Sequence, residues 1–134
     1  MTNNSLYWGA VGIYALLTLW LMCAPRPLPE MPSTSYASGI GHFVIFAGMA
    51  GVFSHAMRQT WPECSRMRLF WIPGLSTSIY GMLLETAQYF IPARTFDMTD
   101  VLLNIGGAFA MQALLLKTIW REHKIELQIN QTPE

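Results

Sequence analysis

Between Tyr80 and Met111, two apolar stretches are interrupted by six side chains of the kinds that bind and catalyse: Glu85, Gln88, Arg94, Asp97, Asp100 and Asn104. Their spacing is helical. Gly81, Glu85 and Gln88 recur at four and three residues, and Asp97, Asp100, Asn104 and Gly107 at three, four and three, so each set shares one helix face. A turn of about six residues joins the two stretches and sets these faces against each other. An ionisable group inside an apolar helix costs about 2–3 kcal/mol on insertion scales unless it is paired or wet, so its presence asks for a role.

Glu85 stands six residues before Ile91, the expected helix end, and so roughly 9 Å inside it. It can be protonated, pair with Arg94 or His42, or face a wet crevice. Glu85, Asp97 and Asp100 outnumber Arg94 by two charges when all are ionised, which favours a bound cation or a protonated acid. In a binding site, Arg94 and the start of the following helix would engage a lipid-type head group, with Glu85 and His42 shaping the pocket. In a catalytic site, His42 or Glu85 would be the general base and Arg94 would stabilise developing phosphate charge. No serine or cysteine nucleophile stands near the cluster, which favours binding over catalysis. Asp97 and Asp100, with His42, are weak metal candidates. They come from different helices without a tight ligand motif, so neither a metal nor a cofactor is expected.

Simpler roles stand beside these. Asp97 can be a helix N-cap and Asp100 a favourable acid in the first turn. Gln88 and Asn104 can hydrogen-bond across a helix pair. Arg94 can snorkel to the interface, and His42 can be an interfacial histidine. Glu85 has the fewest such explanations.

The elements that must carry these residues follow from composition. The chain has 134 residues, 52% hydrophobic and only 12% charged, about half the charge of a soluble domain. The charges lie between long apolar runs, the pattern of a polytopic membrane protein, so the bilayer is the first partner. Net charge is zero and no basic block stands alone, which argues against nucleic acid. Cys23 and Cys64 share no metal-like spacing with each other or with the three histidines. They are expected on opposite sides of the membrane and unbridged.

Four helices are predicted, over about 6–24, 39–57, 69–91 and 98–120, forming one small all-α bundle in a single membrane domain, with a polar tail over 121–134 that frays. The first lacks a positive leader and a small-x-small cleavage site, so it reads as a retained helix. Four prolines between Pro25 and Pro32 hold the first loop open. Arg58 to Arg68 reads as a polar connector, and Pro92 stops the third helix. Ala47 with Gly51, and Thr77 with Gly81, are small pairs four apart that let helices approach closely. Arg58, Arg66, Arg68, Lys117, Arg121 and Lys124 share one side of this layout, and Arg26 and Arg94 the other. Both termini are therefore expected in the cytoplasm, with Trp8, Trp71 and Trp120 near the inner interface. His42, at the outer end of the second helix, then joins the cluster as a third wall.

At these residues the chain resembles the VanZ-like family of small multi-pass bacterial membrane proteins. The family pattern of Glu-x-x-Gln, a following Arg and Asp-x-x-x-Asn-x-x-Gly falls on Glu85, Gln88, Arg94, Asp100, Asn104 and Gly107. A His-Phe pair that opens the second helix is matched by His42-Phe43. The resemblance covers about residues 5 to 120, including the four-helix layout and the proline-bearing first loop. An Asp-Lys pair that many members carry just before the histidine is replaced by Ser38 and Gly39. The resemblance implies a cell-envelope protein of the bacterial cytoplasmic (inner) membrane, with a link to glycopeptide (teicoplanin-type) resistance.

Three functions remain open. One is a protein that binds or modulates a lipid or lipid-linked envelope precursor. Another is an intramembrane hydrolase or transferase acting on a lipid-linked phosphate. The third is a structural bundle that binds a membrane partner or a second copy of itself through its small-residue faces. A transporter fits less well, because four helices in one copy leave little room for a pathway.

Overall fold

The computed structural model describes residues 4–24, 35–91 and 96–129, with the side chains of 35–38 and 119–129 excepted. Among the described residues there are four helices and no strand: α1 Asn4–Cys23, α2 Ser35–Thr60, α3 Arg66–Gln88 and α4 Met98–Ile129. Each antiparallel step brings the next helix back beside the last. The α2–α4 contact is the most extensive, α3 packs on both α2 and α4, and α1 lies against α2 and α3. The α2–α3 pair thus separates α1 from α4.

Several boundaries differ from expectation. α2 starts at Ser35 rather than 39 and continues to Thr60, so the connector before α3 shrinks to residues 61–65. α3 starts three residues early because Ser65 acts as its N-cap, its hydroxyl accepting the N–H of Arg68 at 3.4 Å. It ends at Gln88 and not at Ile91. Tight turns then carry the chain on, with Tyr89, Phe90 and Ile91 donating to the carbonyls three residues back. Pro92 accounts for this, since it disfavours helical backbone at the residue before it. α4 runs on past residue 120 through Ile129, its last turns rich in the good helix formers Glu, Lys, Leu and Gln.

Among the described residues, three helices are long and apolar enough to cross a membrane: Asn4–Cys23, and the segments Gly39–Thr60 of α2 and Met98–Thr118 of α4. Their outer faces are apolar, with Ile13, Leu16, Leu17 and Trp20 of α1 exposed. In water such a surface would aggregate; in lipid it is the favourable face. The chain is therefore a multi-pass membrane protein. α3 is not among the three, because its composition is diluted by Arg66, Arg68, Glu85 and the hydroxyl residues Ser76, Thr77, Ser78, Tyr80 and Thr86. Its polarity is turned inward: Thr77, Ser78, Glu85 and Gln88 are buried, while Ile72, Leu75, Ile79, Met82 and Leu83 are exposed.

The core is small, with Met22, Phe46 and Leu84 packed together and Ile45 and Tyr80 against them. Polar clasps supplement it. The Tyr80 hydroxyl donates to the Ala15 carbonyl at 2.7 Å and the Tyr14 hydroxyl to the Ile45 carbonyl at 2.9 Å, fastening α1 to α3 and α2. Ser54 and Gln112 are both buried and exchange hydrogen bonds across α2 and α4, at 3.0 and 2.8 Å. The Trp8 indole donates to Thr60 Oγ1 and packs edge-on to Phe53 and Trp61. The start of α1 thus sits at the same end of the bundle as the α2–α3 connector.

Candidate functional site

The opposite end gathers the polar residues. His42 comes from the second turn of α2, Glu85 from the last turn of α3, and Asp100 and Asn104 from the first two turns of α4. Two glycines make the meeting possible. A Cβ on Gly107 would overlap the backbone carbonyl of Phe43, so α2 and α4 touch backbone to backbone beside His42. A Cβ on Gly81 would lie 2.7 Å from the Phe46 ring and 3.0 Å from the Asn104 Cβ, so its absence admits Asn104 under α3.

His42 is buried and held at both ring nitrogens. Nδ1 lies 3.0 Å from Asn104 Oδ1, and Nε2 lies 3.5 Å from Asp100 Oδ2. The amide oxygen can only accept, so Nδ1 carries the hydrogen and donates. Glu85 is only 1% exposed, yet one of its oxygens is used: Oε1 accepts the backbone N–H of Asp97 at 2.9 Å. Oε2 is buried and has no hydrogen-bond partner among the described residues. One ligating atom each from His42, Glu85 and Asp100 lie within 4.8 Å of one another.

Glu85 is shallower than the sequence suggests, about 4.5 Å from the last helical residue, because α3 ends at Gln88. The bond from the Asp97 N–H still draws its carboxylate under the start of α4. Asp97 itself is exposed and caps that helix, its Oδ1 accepting the Thr99 N–H at 2.7 Å. The acid that joins His42 and Asp100 is thus Glu85, while the Asp97 carboxylate, a weak metal candidate by sequence, serves the helix end. Gln88 turns toward α1 and donates to the Met22 carbonyl at 3.1 Å, satisfying one of the orphan carbonyls at that helix end. Arg94, Arg26 and the proline-rich first loop lie outside the described residues, as do the side chains of Ser38 and Trp120. Gly39, one of the two residues that stand at the expected Asp-Lys pair, is buried, and a Cβ there would lie 2.8 Å from Leu103 Cδ1, the end of a flexible side chain on α4.

A second feature escaped sequence reasoning. At the other end of the bundle a cavity of about 630 Å³ is lined by Ser54, His55, Arg58, Glu63, Arg66 and Gln112, among others. It lies about 24 Å from Glu85, counted from Leu69 along α3. The connector is largely exposed, as its polar composition suggests, and Pro62, Glu63, Cys64 and Ser65 within it form one wall of this cavity. Gln112 could have been found, since Asn104, Ala108 and Gln112 recur at four residues and all three are buried. The cluster differs from this cavity in holding a buried acid, Glu85, one oxygen of which has no hydrogen-bond partner among the described residues.

Comparison with known proteins agrees with the sequence pattern. The VanZ/LLP1 family profile matches residues 13–121, most of the chain, and the chain belongs to that family. No curated protein and no solved structure matches it.

Proposed function

We propose that this VanZ/LLP1 family member is a four-span envelope protein of the bacterial cytoplasmic membrane, and that its polar cluster receives the head group of a lipid or a lipid-linked envelope component. Both termini lie in the cytoplasm in this reading, and His42, Glu85, Asp100 and Asn104 line the outer ends of α2–α4. The inward-turned polarity of α3 and its apolar outer face support the fourth crossing. The six-to-two division of lysine and arginine supports the orientation.

One observation carries the site. Glu85 is an acid at 1% exposure, one oxygen of which has no hydrogen-bond partner among the described residues, beside a histidine and a second acid. A network built only for packing would satisfy both oxygens. Arg94, which the sequence puts between α3 and α4, would meet the phosphate of the head group. Family membership links the reading to teicoplanin-type resistance as the phenotype to examine.

The test is genetic. Glu85→Gln keeps the oxygen that accepts the Asp97 N–H and removes the charge. It is expected to reproduce the deletion strain's change in glycopeptide susceptibility and lipid profile at unchanged protein level. Unaltered susceptibility and lipids in both strains would reject the proposal. One observation also favours an enzymatic reading: with Nδ1 donating to Asn104, His42 presents Nε2 as an oriented base. Turnover of a lipid-phosphate panel by purified protein, lost in the Glu85 variant, would establish it.

A further inference from the structure

We infer that His42, Glu85 and Asp100 form a binding site for a divalent first-row metal ion, with zinc the best match to the donor set. Asn104 sets the histidine's tautomer. Its Oδ1 fixes the hydrogen on His42 Nδ1, which leaves Nε2 as a lone pair whenever the ring is neutral. That lone pair faces the carboxylate oxygen of Asp100 at 3.5 Å. Two electron-rich atoms that face each other, one on a buried ring and the other on a partly buried carboxylate, are stabilised by positive charge between them. A shared proton would draw such a pair to about 2.7–2.9 Å. The observed 3.5 Å instead approaches the separation of about 3.3 Å between two ligands of one tetrahedral zinc with bonds near 2.0–2.1 Å.

Glu85 supplies the third donor independently. Its Oε2 is buried and has no hydrogen-bond partner among the described residues, and the residue contributes a ligating atom to a group of three that lie within 4.8 Å of one another. Two carboxylates close together in a low-dielectric site repel, and a divalent ion would cancel their charge. An imidazole nitrogen with two carboxylate oxygens favours zinc or manganese over magnesium or calcium, which prefer all-oxygen sites. The surroundings match those of a metal site as well. Asn104 orients the histidine through its other nitrogen, and the Asp97 N–H orients Glu85 through its other oxygen. Three protein ligands leave a fourth position for water or for an oxygen of a phosphate. The metal site rests on these side chains and not on the head-group reading.

The test uses the full-length protein in detergent, its affinity tag removed, stripped with chelator and titrated with zinc chloride and separately with manganese chloride by calorimetry. One zinc per chain is expected, bound more tightly than manganese. Glu85→Gln and Asp100→Asn should each weaken binding at least tenfold, and Asn104→Leu by about 10–100-fold. His55→Ala should leave it unchanged. Helical content and elution volume report whether each variant has folded, and two separate ligand variants guard against the loss of either. Cobalt in place of zinc should give the visible absorption of a four-coordinate site, and Glu85→Gln should remove it. No saturable uptake by the wild type, or uptake that both acid variants retain, would overturn the inference. If zinc binds while no lipid is enriched, the metal site stands and the head-group reading falls; lipid enrichment without zinc uptake gives the reverse.

Discussion

Gly107 offers the sharpest test of how the cluster is held together. A Cβ at this position would overlap the carbonyl oxygen of Phe43 and lie 3.0 and 3.1 Å from the carbonyl carbon and Cα of the same residue. All three are backbone atoms, so no rotamer change relieves the clash, and Gly107→Ala must push α4 from α2 by on the order of 1 Å. His42 is the residue before Phe43, and Asn104 is one turn before Gly107. Their 3.0 Å bond would stretch to about 4 Å, beyond hydrogen-bond range. Overpacking costs about 1–3 kcal/mol, and an interhelical bond in a membrane protein is worth about 0.6–1.7 kcal/mol. The expected loss is therefore about 2–5 kcal/mol, a fall in Tm on the order of 10 °C for a chain of this size. Gly106→Ala is the control. Its Cβ would meet only the Phe43 ring, at 3.8 and 3.9 Å, an ordinary contact, and helix propensity gains about 1 kcal/mol. Thermal unfolding of both variants in one detergent, followed by tryptophan fluorescence, should move Tm in opposite directions. A Gly107→Ala protein as stable as wild type would refute the close approach and the geometry built on it.

Two further outcomes follow from the same structure. Gln112→Leu leaves Ser54 Oγ without its buried partner and should lower stability by about 1–3 kcal/mol; adding Ser54→Ala should recover part of this, and strict additivity in the double-mutant cycle would show that the pair is not coupled. In Cys23→Ser protein, Cys64 in the connector is the sole thiol and should react with a membrane-impermeant maleimide only after spheroplasts are permeabilised; labelling of intact spheroplasts would invert the topology.

Much of the site was legible because helical spacing is a direct consequence of geometry. Gly81, Glu85 and Gln88 share a face by arithmetic, and all three are buried. His42 joins them because alternate helices reverse direction. The cap at Asp97 was legible from its place before an apolar run. What stayed hidden depends on backbone groups that a sequence does not display. The N–H of Asp97 reaches back to Glu85 across the turn, which decides that one oxygen of the acid is used and the other left over. Gln88 has the residue type of a site member, yet a carbonyl on α1 claims it. The start of α3 was misplaced because Arg66 and Arg68 look like loop, while the hydroxyl of Ser65 is enough to begin a helix there. The cavity beside Arg58 and Arg66 arises from how a short connector folds over helix ends, and no residue spacing reports that.

The central claim is that the cluster of His42, Glu85 and Asp100 holds a ligand and is more than a packing network. The most direct measurement is mass spectrometry of the lipids that remain bound to protein purified in mild detergent, comparing wild type with Glu85→Gln at equal yield. The account predicts one phosphate-bearing lipid class enriched several-fold over its share of the membrane in the wild type and absent from the variant. The same lipid complement in both would contradict it.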